Sequence, residues 1–478
     1  MAGKTILVWF RNDLRLHDNE LLTEAIGKSA HVLPVYCFDP FYFRTLSSGI
    51  QKTGFFRARF LLESVADLRE NLRKAGSDLL IAWGKPEEII PQLAAKYQVN
   101  EVYHHREVAS EETRISARVE EALWKMRINL KHFIGHTMYH KEDLPFPIKD
   151  IPDVFTTFRK KVERDTSVRP SLPAPEHIPS PEITEPGDIP SLSDLGISEE
   201  HTDERAVLCF KGGETEGLKR LNAYLWNGDH LREYKQTRNG LLGADYSTKL
   251  SPWLSLGCVS PRFVYDEVKR YERERVANDS TYWLIFELLW RDYFRFMFKK
   301  HGNQFFQPAG FHGSAPDTDA HQDERFDAWK NARTGIPFID ANMRELNTTG
   351  YMSNRGRQNV ASYLVKDLKV SWIRGAAWFE EKLIDYNPAS NWGNWAYVAG
   401  VGNDPRENRY FNIIKQAREY DPKGAYVKHW LPELAELPVQ FVHEPYLLPE
   451  EEQLKYGFKP GEQYPLPVAS FRDSGIGV

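Results

Sequence analysis

The sequence predicts an α/β domain with a parallel sheet, then a long connector, then a large helical domain. Three observations carry this. The first 140 residues alternate short β-branched and aromatic runs with segments of helical periodicity, the pattern of strands joined by crossover helices. Prolines crowd SVRPSLPAPEHIPSPEITEPGDIPSLSDLG at 167–196, where each removes a backbone donor and restricts the residue before it. From 214 to about 434 nearly every periodic segment is helical.

The candidate strands are 5–10, 31–38, 77–83, 101–105 and 129–133, and the stretch 56–75 repeats apolar residues at three and four spacing. Right-handed crossovers place ligand-binding loops at the carboxyl strand ends, near 11–18 and 39–51. The α/β domain is read as 1–140 and the connector as 141–205, laid over the surface. The helical domain is read as 206–440, with breaks at 240–246, 308–318, 350–356 and 387–394. The tail, 441–478, is polar, proline-containing and too short to fold alone.

Composition narrows the function. The 478 residues are 41% hydrophobic and 27% charged, which excludes a disordered or fibrous chain and supports two or three cores. With 62 basic and 67 acidic residues the net charge is -5, so a polybasic nucleic-acid wrapper is excluded. The balance is uneven: 206–440 holds 32 basic and 29 acidic residues, leaving the remainder at -8, so the second half tolerates phosphate. Cys37, Cys209 and Cys258 form no C-x-x-C pair, which argues against a disulfide scaffold or metal centre and for a reducing compartment. The apolar run 6–10 is far shorter than a membrane span, so a soluble, cytoplasmic protein is expected. Aromatic content is 13%, and ten of the 13 tryptophans follow residue 220.

Four segments there could carry chemistry. In YWLIFELLWRDYFRFM (282–297), helical spacing puts Trp283, Glu287, Trp290 and Phe294 on one face, with Arg291 one turn after Glu287. Glu287 among indoles meets either a polar ligand or Arg291, unless the stripe edge reaches water. DYSTKLSP (245–252) offers hydroxyls and a lysine to a phosphate, or simply caps a helix. TGYMSNRGRQNVASYLVKDL (349–368) places Arg355 and Arg357 with Asn354 at the mouth of a helix beginning near Gln358, suited to an anion or a buried carboxylate, or solvated. LIDYNPASNWGNWAYVAGVGNDPRENRYFN (383–412) reads as a polar, aromatic, glycine-rich loop. It suits a flat, heteroatom-rich cofactor, with an aromatic turn packed between helices as the plain alternative.

These segments, together with WFRNDLRLHDN near the start and DYSTKLSPWLSLGCVSPR, resemble the photolyase/cryptochrome family, and TGYMSNRGRQNVAS and DYNPASNWGNWAYVAGVGNDPR resemble its DASH branch. The resemblance runs in order along nearly the whole chain. It implies FAD, folded in the helical domain and contacted by Tyr234, by Ser247, Thr248, Lys249, Leu250 and Ser251 at the diphosphate, and by Glu287, Arg291, Asn354, Arg357, Asp385, Asn387 and Asn391. Arg357 would pair with Asp385, and Asn391 would face flavin N5, where an uncharged amide accepts an N–H. It also implies a lesion pocket lined by Glu287, Trp290, Met352, Asn354 and Tyr397. Tyr397 stands where many double-strand photolyases have Trp, a smaller stacking face to offset unpairing. A methenyltetrahydrofolate antenna is implied in the α/β domain, with Glu111 or Glu112 near its carboxylate ligand. Of the family's three relay tryptophans, Trp395 and Trp372 match the inner two. The outer one would lie in PDTDAHQ (316–322), which has none. Either another aromatic substitutes, Trp378 being near in sequence, or the relay is shorter.

The resemblance implies light-driven, flavin-dependent splitting of cyclobutane pyrimidine dimers, mainly in single-stranded or looped DNA, by a monomer with no membrane partner and no metal. The alternatives are a blue-light photoreceptor that uses the same flavin site, or a flavin or nucleotide-binding protein without light chemistry.

Overall fold

The structure is a computed structural model that describes residues 3–469 except 47, 312, 405 and 407–409. Strands β1 (Thr5–Phe10), β2 (His31–Phe38), β3 (Leu80–Trp83), β4 (Glu101–His105) and β5 (Asn129–Phe133) form a parallel sheet in the order β3-β2-β1-β4-β5. All six residues of β1 are buried, which is why its run is continuously apolar rather than alternating. The chain steps outward from β1 to β3 and returns to β4 on the other side, so loops diverge at the carboxyl edge. Helices α1 (Glu20–Lys28), α2 (Phe55–Lys74), α3 (Pro86–Lys96) and α4 (Ser110–Lys125) are the crossovers. β3 starts at Leu80 and not at 77, because the Ser77 N–H donates to Leu72 O at the end of α2 and Asp78 is held by Arg69 and Arg73.

The connector carries one α-helix, α5 (Phe155–Asp165), and no helix or strand from 167 to 196. Its Pro179 and Pro186 carbonyls accept the Val32 and Ile81 N–H groups, which lays it on the sheet.

The helical part comprises α6 (Glu214–Asn222), α7 (Tyr234–Thr237), α8 (Ser251–Ser255), α9 (Pro261–Glu274), α10 (Asp279–His301), α11 (Gln322–Lys330), α12 (Pro337–Thr349), α13 (Asn354–Ser362), α14 (Trp372–Lys382), α15 (Pro388–Ala399), α16 (Ile413–Tyr420) and α17 (Ala425–Trp430). Two boundaries correct the sequence reading. Helix α13 begins at Asn354, not near Gln358, because the Ser353 hydroxyl accepts the Gly356 N–H and caps it. The asparagine-rich segment is not a loop but α15, started by Asn387 as cap and Pro388 in the first turn. Gly393 in its middle is a close-approach glycine: a Cβ there would lie 2.4 Å from Phe294 of α10. The tail packs back onto the start of α12, where buried Tyr464 donates to Asp340 and Val468 N–H donates to Thr334 O at 3.0 Å.

Buried ion pairs and charged hydrogen bonds hold the two parts together. Asp18 binds Arg262 at 2.6 Å, Glu107 binds Arg295 at 2.9 Å, and the Glu214 carboxylate accepts the Leu16 and His17 N–H groups. Each buried charge is thereby hydrogen-bonded, as desolvation requires.

Candidate active site

A cavity of about 490 Å³ opens among α10, α13, α15 and the 248–251 turn. The turn is held from behind by a residue that sequence reasoning missed: Arg220 donates to the carbonyls of Thr248, Ala244 and Ser247 and to the Asp245 carboxylate. Its signal, an isolated arginine on an amphipathic helix, is indistinguishable from a surface charge. Thr248, Leu250 and Ser251 reach the cavity. Lys249 takes left-handed backbone (φ 53°), and its side chain turns away to lie buried over the Tyr246 ring. Burial there lowers its ammonium to a pKa of about 6, and Lys249, named from the sequence as a diphosphate contact, does not line the cavity. Ser247 likewise does not line the cavity, since its carbonyl serves Arg220.

On α10, Glu287 lines the cavity but is not paired with Arg291, although one turn separates them. Its carboxylate meets Arg238 at 2.5 Å, and burial still pushes its pKa up against that pull. Arg291 is drawn off by the carbonyls of His136 and Leu254, so it lines the wall with both terminal nitrogens already donating. Trp290 presents one ring face to Phe155 of α5, stacked with centroids 3.6 Å apart at 13°, and Tyr397 meets it edge-on at 5.9 Å.

At the other pole, Arg357 Nη2 donates to Asp385 Oδ2 at 2.8 Å while Nε donates to Met352 O. Asp385 Oδ1 is buried with no protein partner. Asn391 Nδ2 donates to Ala376 O, which leaves Oδ1 to accept from a ligand N–H. Asn354, Asn387, Tyr234 and Trp395 complete the lining named from the sequence. Met352 does not belong to it: this side chain is fully buried behind the start of α13, and only its carbonyl is used, by Arg357. The set fits FAD, with hydroxyls and turn N–H groups at one end and an amide oxygen, a guanidinium and an unpartnered carboxylate oxygen at the other.

Trp372 is buried outside the cavity, donating to Pro308 O. Trp378 donates to Asn347 Oδ1 under Lys382, and among the described residues no ring contact joins it to Trp372 or Trp395. Glu111 and Glu112 sit elsewhere, at a second chamber of about 740 Å³ between the domains, together with Lys52, Glu380, Tyr386 and Trp392. Lys52 bridges Glu111 at 2.5 Å and Glu380 at 2.7 Å. Glu112 keeps an unpartnered buried Oε2, and desolvation raises its pKa to about 7. Among the described residues no group of three His, Cys, Asp or Glu is placed to hold a metal, and no helix is long and apolar enough to cross a membrane.

Comparison with known proteins follows the same division. A family model described as "FAD binding domain of DNA photolyase" matches residues 283–475, and one described as "DNA photolyase" matches 6–180. The chain is 56% identical to the cryptochrome DASH of Gloeobacter violaceus, over 99% of this chain and 95% of that one. It is 52% identical to the cryptochrome DASH of a Synechocystis species, over 98% and 96%. The solved Synechocystis cryptochrome superposes with a TM-score of 0.95 at 51% identity, covering 98% of this chain and 97% of that one. A class III photolyase from Agrobacterium tumefaciens superposes with a TM-score of 0.86 at 28% identity, covering 99% and 96%.

Proposed function

Because the chain belongs to the photolyase/cryptochrome family, in its DASH branch, we propose that it is a blue-light-driven, FAD-dependent lyase that reverses cyclobutane pyrimidine dimers, preferentially in single-stranded or looped DNA. One observation carries this reading. The residues suited to a flavin ring and those suited to two extruded neighbouring bases line a single cavity, so donor and lesion need no intervening wall. FAD supplies the photoexcitable, reduced ring that lends an electron to the dimer and takes it back, leaving no net redox change. The chain's own residues bind and orient. The 248–251 turn, braced by Arg220, presents N–H and hydroxyl groups to the diphosphate. Asp385, fixed by Arg357, accepts at the ring edge, and the Asn391 amide oxygen accepts at N5. Trp290 stacks one lesion base on the face that Phe155 leaves open, with Tyr397 and the Glu287–Arg238 pair beside it.

The single-strand preference follows from Tyr397, whose phenol offers less stacking than an indole to offset extrusion from a duplex, a cost of a few kcal/mol. The chamber around Glu112 is proposed to take the antenna, 5,10-methenyltetrahydrofolate, with Glu112 rather than Glu111 as its carboxylate, since Lys52 already claims Glu111. The photoreceptor reading draws support from a different observation, the buried indoles leading away from Trp395, which serve flavin reduction and not lesion splitting. Reversal of dimers under blue light, measured on single-stranded and duplex substrates, tests the proposal. Fast repair of the first and slow repair of the second is expected, and equal rates at saturating enzyme, or none on either, overturn it.

A further inference from the structure

From Trp395 a ring contact leads away from the cavity in one direction, and the packing of its ring on α14 leads in another. Trp395 lines the cavity and meets Trp329 edge-on at 6.1 Å. Its benzo edge also lies on Gly375, where a Cβ would come within 2.3 Å of Cη2, one turn along α14 from Trp372. Trp372 in turn meets Trp392 edge-on at 5.9 Å. The branches end differently. Trp329 is fully buried, stacks on Phe326 and Phe379, and donates its indole N–H to Val360 O, so an electron vacancy there has no contact with solvent. Trp392 is 8% exposed, and its ring forms part of the wall of the chamber that holds Glu112. Its Nε1–H donates to Tyr386 Oη at 3.1 Å, and Tyr386 lines both the flavin cavity and that chamber.

We propose that Trp392 is the outermost indole of the light-driven reduction path, which runs Trp395, Trp372, Trp392, and that a small thiol reductant meets it through the inter-domain chamber. The proposal rests on the flavin reading of the cavity. It answers the missing tryptophan at 316–322 with a residue four positions after the proline that opens α15's first turn, rather than with Trp378. Each turn of the path moves one electron: the thiol gives it up and releases its proton to water, two of the resulting thiyl radicals coupling to a disulfide, each indole is oxidised and re-reduced in sequence, and the photoexcited flavin is reduced by one electron. No bond forms or breaks in the relay. Because the exit opens into the chamber, whatever fills the chamber also controls access of the reductant.

Transient absorption on FAD-loaded protein reads the proposal through the tryptophanyl radical itself. Trp392→Phe is expected to shorten the radical's lifetime by about tenfold or more, because the vacancy stays close enough to recombine, whereas Trp329→Phe leaves it unchanged. In wild type illuminated without thiol, mass spectrometry is expected to find oxidised indole at Trp392 and not at Trp329. That measurement needs no variant to fold. A lifetime in Trp392→Phe equal to wild type, or oxidation confined to another indole, overturns the relay's end and leaves the flavin reading standing. A flavin-loaded wild type that forms no tryptophanyl radical overturns the light-driven reduction reading, and the relay with it.

Discussion

The flavin cavity and the inter-domain chamber treat charge in opposite ways. In the cavity two charge pairs are closed, Arg357 with Asp385 and Arg238 with Glu287, while Arg291 is tied to carbonyls, and what is left free includes two acceptor atoms, Asp385 Oδ1 and Asn391 Oδ1. In the chamber Lys52 serves two carboxylates, Glu111 and Glu380, while a third, Glu112, keeps a buried oxygen without a partner. The cavity's ion pairs are therefore closed before anything binds, and the chamber is a site whose charge is completed by what enters it or by a proton. Burial of an unpaired carboxyl raises its pKa, and Glu112 at about 7 is the measure of that deficit.

Breaking the cavity's closure gives the largest effect. Asp385→Ala leaves the Arg357 guanidinium beside Tyr351 without its carboxylate, and opening such a buried pair costs about 3 kcal/mol. The variant is expected to purify with little bound flavin and to melt lower, read by flavin absorbance per chain and by calorimetry, with antenna absorbance retained. Second comes the relay's first step. Trp395→Phe is expected to abolish light-driven reduction of the oxidised protein while chemically reduced protein splits dimers at the wild-type rate, because the proposed repair moves the electron from flavin to lesion and not along the indoles. Unchanged photoreduction in this variant would show that another route is used. Next, Gly375→Ala drives a methyl into the Trp395 ring and is expected to slow photoreduction with flavin content retained.

The chamber's signature is smaller and lies in pH. Glu112 binds its proton more tightly folded (about 7) than unfolded (about 4.5), so its stabilising contribution is full below about pH 4.5 and is lost as pH rises to 7. Glu112→Gln is expected to flatten that fall, seen as a smaller drop in melting temperature between pH 5 and pH 8 than wild type shows. Its flavin content stays unchanged, and its near-ultraviolet antenna absorbance is reduced.

The same contrast explains what could be read from the sequence. The cavity's polar groups lie in two motifs, so Asn354, Arg357, Asp385, Asn387 and Asn391 are legible together, and the structure brings all five to the cavity lining. The chamber joins Lys52, Glu111, Glu112, Glu380 and Trp392 from distant stretches, each unremarkable alone, and no period or spacing announces such an assembly. Strands β1, β2 and β3 are legible because buried parallel strands run nearly continuously apolar, whereas 387–394 reads as a loop in the sequence because glycine and asparagine ordinarily break helices. There Asn387 caps a helix and Gly393 lets it approach α10. Arg238 and Arg220 were missed because their partners, Glu287 and four groups of the 244–248 turn, are remote in sequence.

The stacking of Phe155 on Trp290 bears on how such proteins can be cut and rejoined. Phe155 belongs to the connector, so the platform that would meet a DNA base is finished by a residue outside the domain that carries it. A chimera that swaps the α/β domain for a relative's should therefore be spliced before 155, in the helix-free stretch 151–154. A crossover placed after 166 brings in a foreign α5 under Trp290, and the hybrid would carry an intact flavin site beneath an ill-fitted roof.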